Sequence, residues 1–318
     1  MNPTPGEGPG YDAYFPWHAH GLTLAKMSQA PPRIFDSFAY RMRRARAERM
    51  AEDIFLAQDA AGHLAERMGA INRRFTDGLD IHSRARIFPL LAPFAENWVR
   101  MGFGWNTPSV IADEEVLPFA DGSFDLVTSV LSLHAVNDLP GTLVQIRRAL
   151  RPDGLFLAAM FGGETLRELR NAFAAAETEI LGGISPRISP FADVRDLGGL
   201  LSRAGFTLPV ADVERTIVRY RDLARLFADL RALGETNVLA ERRNKFLSPR
   251  ILEAVTREYS QRFTDADGRF LATFDIVFLT GWAPHESQQK PLQPGSAKTR
   301  LADALGTKEQ PAGEKPVP

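Results

Sequence analysis

Cysteine is absent from this 318-residue chain. Disulfides, thiolate nucleophiles, iron–sulfur ligation and cysteine-based zinc sites are therefore all excluded. An excess of either charge is missing too. The 38 Lys and Arg and the 39 Asp and Glu leave a formal net charge of -1, so no global field draws the chain to nucleic acid or to an anionic membrane. No apolar run approaches the roughly 20 residues that a bilayer-spanning helix requires. The opening MNPTPGEGPGYDAYFPWHAHG has neither the basic start nor the apolar run of a signal peptide. These absences point to a cytoplasmic protein.

What is present suits a folded core: 44% of residues are hydrophobic and 24% charged. Residues 1–32 are rich in Gly and Pro and read as a flexible leader, and 284–318 read as a flexible tail. Between them apolar periodicities alternate. Phe35, Phe38, Met42 and Ala45 share one helical face, with Arg41, Arg43, Arg44, Arg46 and Arg49 filling much of the rest, and the helical pattern continues to Leu64 and Met68. Strands are expected at 109–112, 124–130, 155–161, 210–218 and 270–282. Helical faces fall between them: Leu139, Leu143, Ile146 and Leu150, stopping at Pro152-Asp153-Gly154; Leu166, Leu169 and Phe173; Val194, Leu197, Leu200 and Leu201; and Leu223, Leu226, Phe227, Leu230 and Leu233. Strands alternating with helices predict an α/β fold, an open sheet with helices on both faces.

The run VIADEEVLPFADGSFDLVTSVLSLHAVNDLP, from Val110 to Pro140, resembles the middle of the class I S-adenosylmethionine-dependent methyltransferases, and RRALRPDGLFLAAMFGGETLRELR, from Arg147 to Arg170, continues the match. Three later segments, GGISPRISPFADVRDLGGLLSRAGF (182–206), LRALGETN (230–237) and GWAPHESQQKP (281–291), resemble the respiratory complex I assembly-factor branch of that superfamily, near the malonyl-carrier-protein O-methyltransferases. The resemblance implies a Rossmann-like sheet. N-terminal helices would occupy 33–75, a cofactor-binding core 76–161 and an acceptor-side half 162–283. S-adenosyl-L-methionine is the implied cofactor. Asp80, Asp113, Glu114, Ser129 and Leu131 would contact it, His134 would act as base or orient the acceptor, and Glu164 and Arg187 would touch substrate. A quinone-module subunit of complex I is the implied partner, which would place the chain against the inner membrane. A small carboxylate is the alternative substrate.

One stretch departs from the pattern. His82, Arg84 and Arg86 stand where the family carries its three glycines, whose lack of side chains lets the cofactor approach the backbone. Only 33 positions separate Asp80 from Asp113. A βαβ unit takes roughly 30 or more, and the family fits two crossovers there. The expectation is a sheet truncated in its first two strand–helix units, with the second strand and its ribose-binding carboxylate lost. Three functions are consistent with this reading: methyl transfer, hydroxylation of an arginine on a complex I subunit, and a non-catalytic assembly chaperone.

Other candidates carry less. His285-Glu286 lacks the second histidine of a zinc protease, because Gln289 holds that place. His18 and His20 supply too few ligands for a metal site. The arginines of 41–49 come without stacking aromatics or an RNA-binding motif, so no nucleic-acid partner is expected. No Gly-x-Gly-x-x-Gly follows any predicted strand, which disfavours a nicotinamide oxidoreductase.

Overall fold

The computed structural model describes residues 33–50, 53–103, 108–243, 246–289, 296 and 301–308. The expected leader at 1–32 and the His18–His20 pair lie outside the described residues. Two helices come first, α1 (Ser37–Glu48) and α2 (Phe55–Gly69), and β1 (Phe75–Ile81) follows. A short helix α3 (Phe88–Leu91) and a 3-10 turn (Ala92–Phe94) lead into β2 (Ala95–Gly102), and then come β3 (Val110–Ile111) and β4 (Phe124–Val130). A second 3-10 turn (Leu133–Ala135) precedes α4 (Leu139–Ala149), β5 (Leu150–Phe161), α5 (Arg167–Leu181), α6 (Val194–Arg203) and β6 (Thr207–Tyr220). The chain continues through α7 (Leu223–Leu233), α8 (Pro249–Arg262), β7 (Phe270–Trp282) and α9 (Leu301–Leu305).

The seven strands form one sheet in the order β3-β2-β1-β4-β5-β7-β6. β1 to β5 run parallel, and β7 pairs antiparallel with both β5 and β6. The central strands are buried on both faces, which is why β4 and β5 read as nearly continuous apolar runs. Along β5 the side chains alternate. Leu155, Leu157, Ala159 and Phe161 face a core shared with α2, α5, α7 and α8, whereas Phe156, Ala158 and Met160 face a second core shared with α4 and α6. Each fully buried Leu, Phe or Met of these contributes about 1.5–3 kcal/mol. Among the described residues no helix is long and apolar enough to cross a membrane.

The shortening expected between Asp80 and Asp113 falls on the crossovers, and the expected loss of the second strand is corrected. β2 is present and pairs with β1 from Phe75↔Ala95 to Ile81↔Met101. What has shrunk is the connection, α3 and the 3-10 turn, tightened by Pro89 and Pro93. Trp98 covers the gap. Its indole lies across β1 at Gly78, where a Cβ would stand only 2.7 Å from the ring. The indole N–H donates to Ala92 O at 3.0 Å, and Phe88 meets the ring edge-on.

Two further expectations are corrected. The buried face of α1 is rotated: Phe35 and Ala45 are buried as expected, but Phe38 is 74% exposed and Met42 is exposed, while Tyr40, Arg44 and Ala47 are buried. α4 stops at Ala149 rather than at Pro152-Asp153-Gly154, because Leu150 already pairs with Phe124 as the first residue of β5. α8 has no counterpart in the sequence reading. It is capped by Ser248, which accepts from Ile251 N at 3.3 Å, with Pro249 in its first turn.

Candidate functional site

In an open α/β sheet the ligand crevice lies at the carboxyl ends of the strands where the strand order reverses, here between β1 and β4. Both strands are followed directly by a residue in the left-handed region that is not glycine: His82 with φ +55° and Leu131 with φ +50°. Such a backbone disfavours a side chain. The two strained carbonyls share a partner. Arg44, reaching in from α1, donates from Nη2 to His82 O at 2.9 Å and from Nη1 to Leu131 O at 3.1 Å.

Arg44 also faces the other half of the molecule. Its Nη1 lies 3.6 Å from Glu235 Oε1, and Glu235 Oε2 meets His134 Nε2 at 2.9 Å. Gly234, the cap of α7 at φ +80°, makes room for this reach. A Cβ there would stand 3.0 Å from Arg44 Cδ and 3.3 Å from its Cα. Burial works against the Glu235 carboxylate, but the His134 charge and hydrogen bond, with Arg44 beyond, outweigh it and hold its pKa below the usual value. The His134 ring stacks obliquely on Phe161 and edge-on against Phe191, and its Nδ1 has no hydrogen-bond partner.

The residues expected to hold the cofactor are placed as follows. Asp80 is buried in β1, 3.4 Å from Thr128 Oγ1 and 3.8 Å from Arg100 Nε, and burial pushes its pKa up to about 6. Ser129 donates to Ile81 O at 3.1 Å and joins Ser132 at 2.8 Å, lashing β4 to β1. Asp113 follows β3 and pairs with Arg41. Glu114 is buried, and desolvation raises its pKa to about 8. His82 lies 3.6 Å from Glu114 Oε1 and its Nε2 is 3.0 Å from Ala112 O; burial, with Arg44 nearby, lowers its pKa to about 3. The Asp113 turn and the His134 loop thus share the carboxyl rim.

These residues do not fit an adenosyl group. The space left among Tyr40, Arg41, Phe103, Asp113, Glu114 and Val136 is about 10 Å³, enough for one water and far below the several hundred Å³ of a small-molecule pocket. Phe103 closes it, its ring centroid 3.9 Å from that of His82. β2 ends on Met101 and Gly102 and is followed by Phe103, none of them a carboxylate, and Glu96 sits at the opposite end of that strand.

A larger cavity of about 240 Å³ opens on the acceptor side, walled by Phe161, Phe173, Phe191, Phe227 and Phe274 and bordered by Glu235. Arg187 lines it, yet its guanidinium already grips the buried Glu177 at 2.5 and 2.8 Å, while Ser185 N donates to the same carboxylate at 2.6 Å. That grip pins the 184–191 loop over the cavity. Glu164 is not among its lining residues, although its neighbours Thr165 and Leu166 are. Its carboxylate is half exposed and pairs with Arg167 at 3.3 Å.

Over 286 residues the chain is 41% identical to a human protein named arginine-hydroxylase NDUFAF5, mitochondrial, covering 85% of this chain and 83% of that protein. The chain belongs to the NDUFAF5 family. A methyltransferase domain family matches residues 92–158, and a malonyl-[acyl-carrier protein] O-methyltransferase of Halorhodospira halophila is 33% identical, covering 77% of this chain and 87% of that enzyme. Among solved structures, the YcgJ protein of Bacillus subtilis aligns with a TM-score of 0.49 at 13% identity, covering 71% of this chain and 99% of that one.

Within this NDUFAF5-family chain the sequence reading missed two residues at the centre of the site. Arg44 falls with the arginines off the apolar face of the first helix, because nothing in its spacing marks it as buried. Glu235 lies inside the family-typical LRALGETN segment, and the glycine before it was the available signal.

Proposed function

We propose that this chain serves the assembly of respiratory complex I by engaging an arginine side chain of a quinone-module subunit in the aromatic cavity, without an adenosyl methyl donor. The observation that carries this reading is Glu235. Glu235 lines the cavity, and the cation nearest its Oε1, Arg44 Nη1 at 3.6 Å, is an ion-pair neighbour that gives that oxygen no hydrogen bond, which leaves it able to accept a donor. A guanidinium supplies that donor and the opposite charge, and the phenyl walls suit its planar cation and aliphatic stem. At about 240 Å³ the cavity takes a side chain more readily than a cofactor. Five relatives carrying the name arginine-hydroxylase support the same choice of residue.

A second reading, a small carboxylate substrate, draws on the exposed Arg231 at the cavity rim and on the malonyl-[acyl-carrier protein] relatives. Calorimetry separates the two. N-acetyl-arginine methylamide is expected to bind the purified protein at least about tenfold more tightly than its neutral citrulline analogue, and malonate is expected not to bind. Equal binding of arginine and citrulline, or saturable malonate binding, would overturn the proposal. Mass spectrometry of quinone-module subunits from cells with and without the chain then shows whether an arginine gains an oxygen atom.

A further inference from the structure

The cofactor crevice of this chain is filled rather than missing, and what fills it is a side chain. At the reversal point between β1 and β4, where a ligand of this fold would lie, the Arg44 guanidinium takes both strained carbonyls, His82 O and Leu131 O. A left-handed non-glycine residue is costly and persists only when its surroundings over-determine it. Here two of them, at the ends of adjacent strands, are held by one planar fork. Arg44 is itself buried, and its stem passes Gly234, the cap of α7, where a Cβ would crowd it. The next residue, Glu235, supplies the balancing charge 3.6 Å away. A buried arginine with this set of acceptors is a built position rather than a stray surface cation, since an unmatched buried charge is strongly destabilising.

We propose that Arg44 is the resident occupant of the crevice: a guanidinium built into the chain that replaces an exchangeable cofactor, locks the β1 and β4 ends together and positions Glu235 for the aromatic cavity. Arg44 is a positioning residue, because it meets the acceptor cavity only through Glu235. A family member with glycines after β1 leaves that crevice open for a ligand. This chain closes it with the bulk of His82 and Phe103 and supplies the crevice's polar contacts from α1. The occupancy itself stands independently of the proposed function; only its effect on arginine binding rests on that reading.

Chemical rescue tests it. In R44A the crevice loses its guanidinium, and free methylguanidinium at tens of millimolar is expected to bind there and raise the thermal midpoint by about 2–4 °C. Wild type should show no such rise, and methylammonium, which is charged but lacks the planar fork, should raise neither. R44K is expected to remain less stable than wild type for the same reason. If R44A does not fold on its own, methylguanidinium during refolding should increase the folded yield over methylammonium. R44A as stable as wild type, or a response to methylguanidinium no greater than to methylammonium, would overturn the proposal. So would a saturable midpoint rise of the wild-type protein with S-adenosylhomocysteine. In a second arm, N-acetyl-arginine methylamide should bind R44A about tenfold more weakly, with methylguanidinium restoring part of the loss. If wild type binds no arginine probe, the proposed function has failed while the rescue arm still decides the role of Arg44.

Discussion

His82 Nδ1 stands 3.6 Å from Glu114 Oε1, and burial leaves both side chains neutral near pH 7. The two groups respond to pH with opposite signs. Unfolded, the Glu114 carboxyl ionises near 4.5, whereas folded it keeps its proton to about 8, so the folded state binds more protons across that window and stability falls as pH rises. His82 is protonated below about 6.5 when unfolded but stays neutral down to about 3 when folded, so its contribution rises with pH between those values.

E114Q removes the first effect. Urea unfolding of E114Q and wild type at several pH values should show the variant gaining relative to wild type from about pH 5 to pH 8, by no more than about 1.4 kcal/mol per pH unit, and levelling beyond. A difference that does not change with pH would mean that Glu114 ionises freely in the fold.

E235Q keeps the shape of the cavity wall and deletes its charge. Arg44 and His134 then lose their shared carboxylate, so a stability loss of about 1–3 kcal/mol is expected. Affinity for the arginine probe should fall at least about tenfold, measured by calorimetry on variant protein shown to be folded by circular dichroism.

E177A leaves Arg187 without its partner beneath the 184–191 loop. Breaking a buried pair from one side costs about 3–5 kcal/mol. Limited proteolysis should cut this loop in E177A well before it cuts wild type, while E177Q, which retains hydrogen-bonding capacity, should fall between them.

L208G addresses strain away from the site. Leu208 adopts φ +49° in the irregular start of β6, and its side chain is exposed. Glycine relieves the left-handed backbone at little loss of packing, so a gain of about 0.5–1 kcal/mol in denaturant unfolding is expected. A loss would show that Leu208 has a packing role.

Particular residues show what the sequence disclosed. Phe124–Val130 and Phe270–Trp282 appear as expected because a strand buried on both faces is mostly apolar, with few polar residues among its apolar ones. β2 was hidden because AENWVRMG mixes Glu96, Asn97 and Arg100 with apolar residues, giving neither alternation nor a run. In α1 the periodicity finds Phe35 and Ala45 but misplaces Phe38 and Met42: it counts every arginine as solvent-facing, and Arg44 defies that because two buried carbonyls accept from it and Glu235 stands 3.6 Å away. His82 was recognisable as a glycine position by resemblance, but the conformation that makes it costly, and the partner that holds it, depend on tertiary contacts. The Glu235–His134 pair joins residues a hundred positions apart, a separation that no local pattern encodes.

The compressed link between β1 and β2 has a dynamic consequence. Without full crossover helices, the outer rim is joined to β3 by a short ladder, the pairs Met101↔Val110 and Gly102↔Ile111 with hydrogen bonds between Arg100 and Ser109 beside them, and Glu96, Asn97 and Ile111 face solvent. Such a rim frays as its own foldon, below the free energy of global unfolding. Deuterium should therefore enter Val99–Gly102 through local opening, while the amides of β5 and β7 wait for the whole chain to unfold.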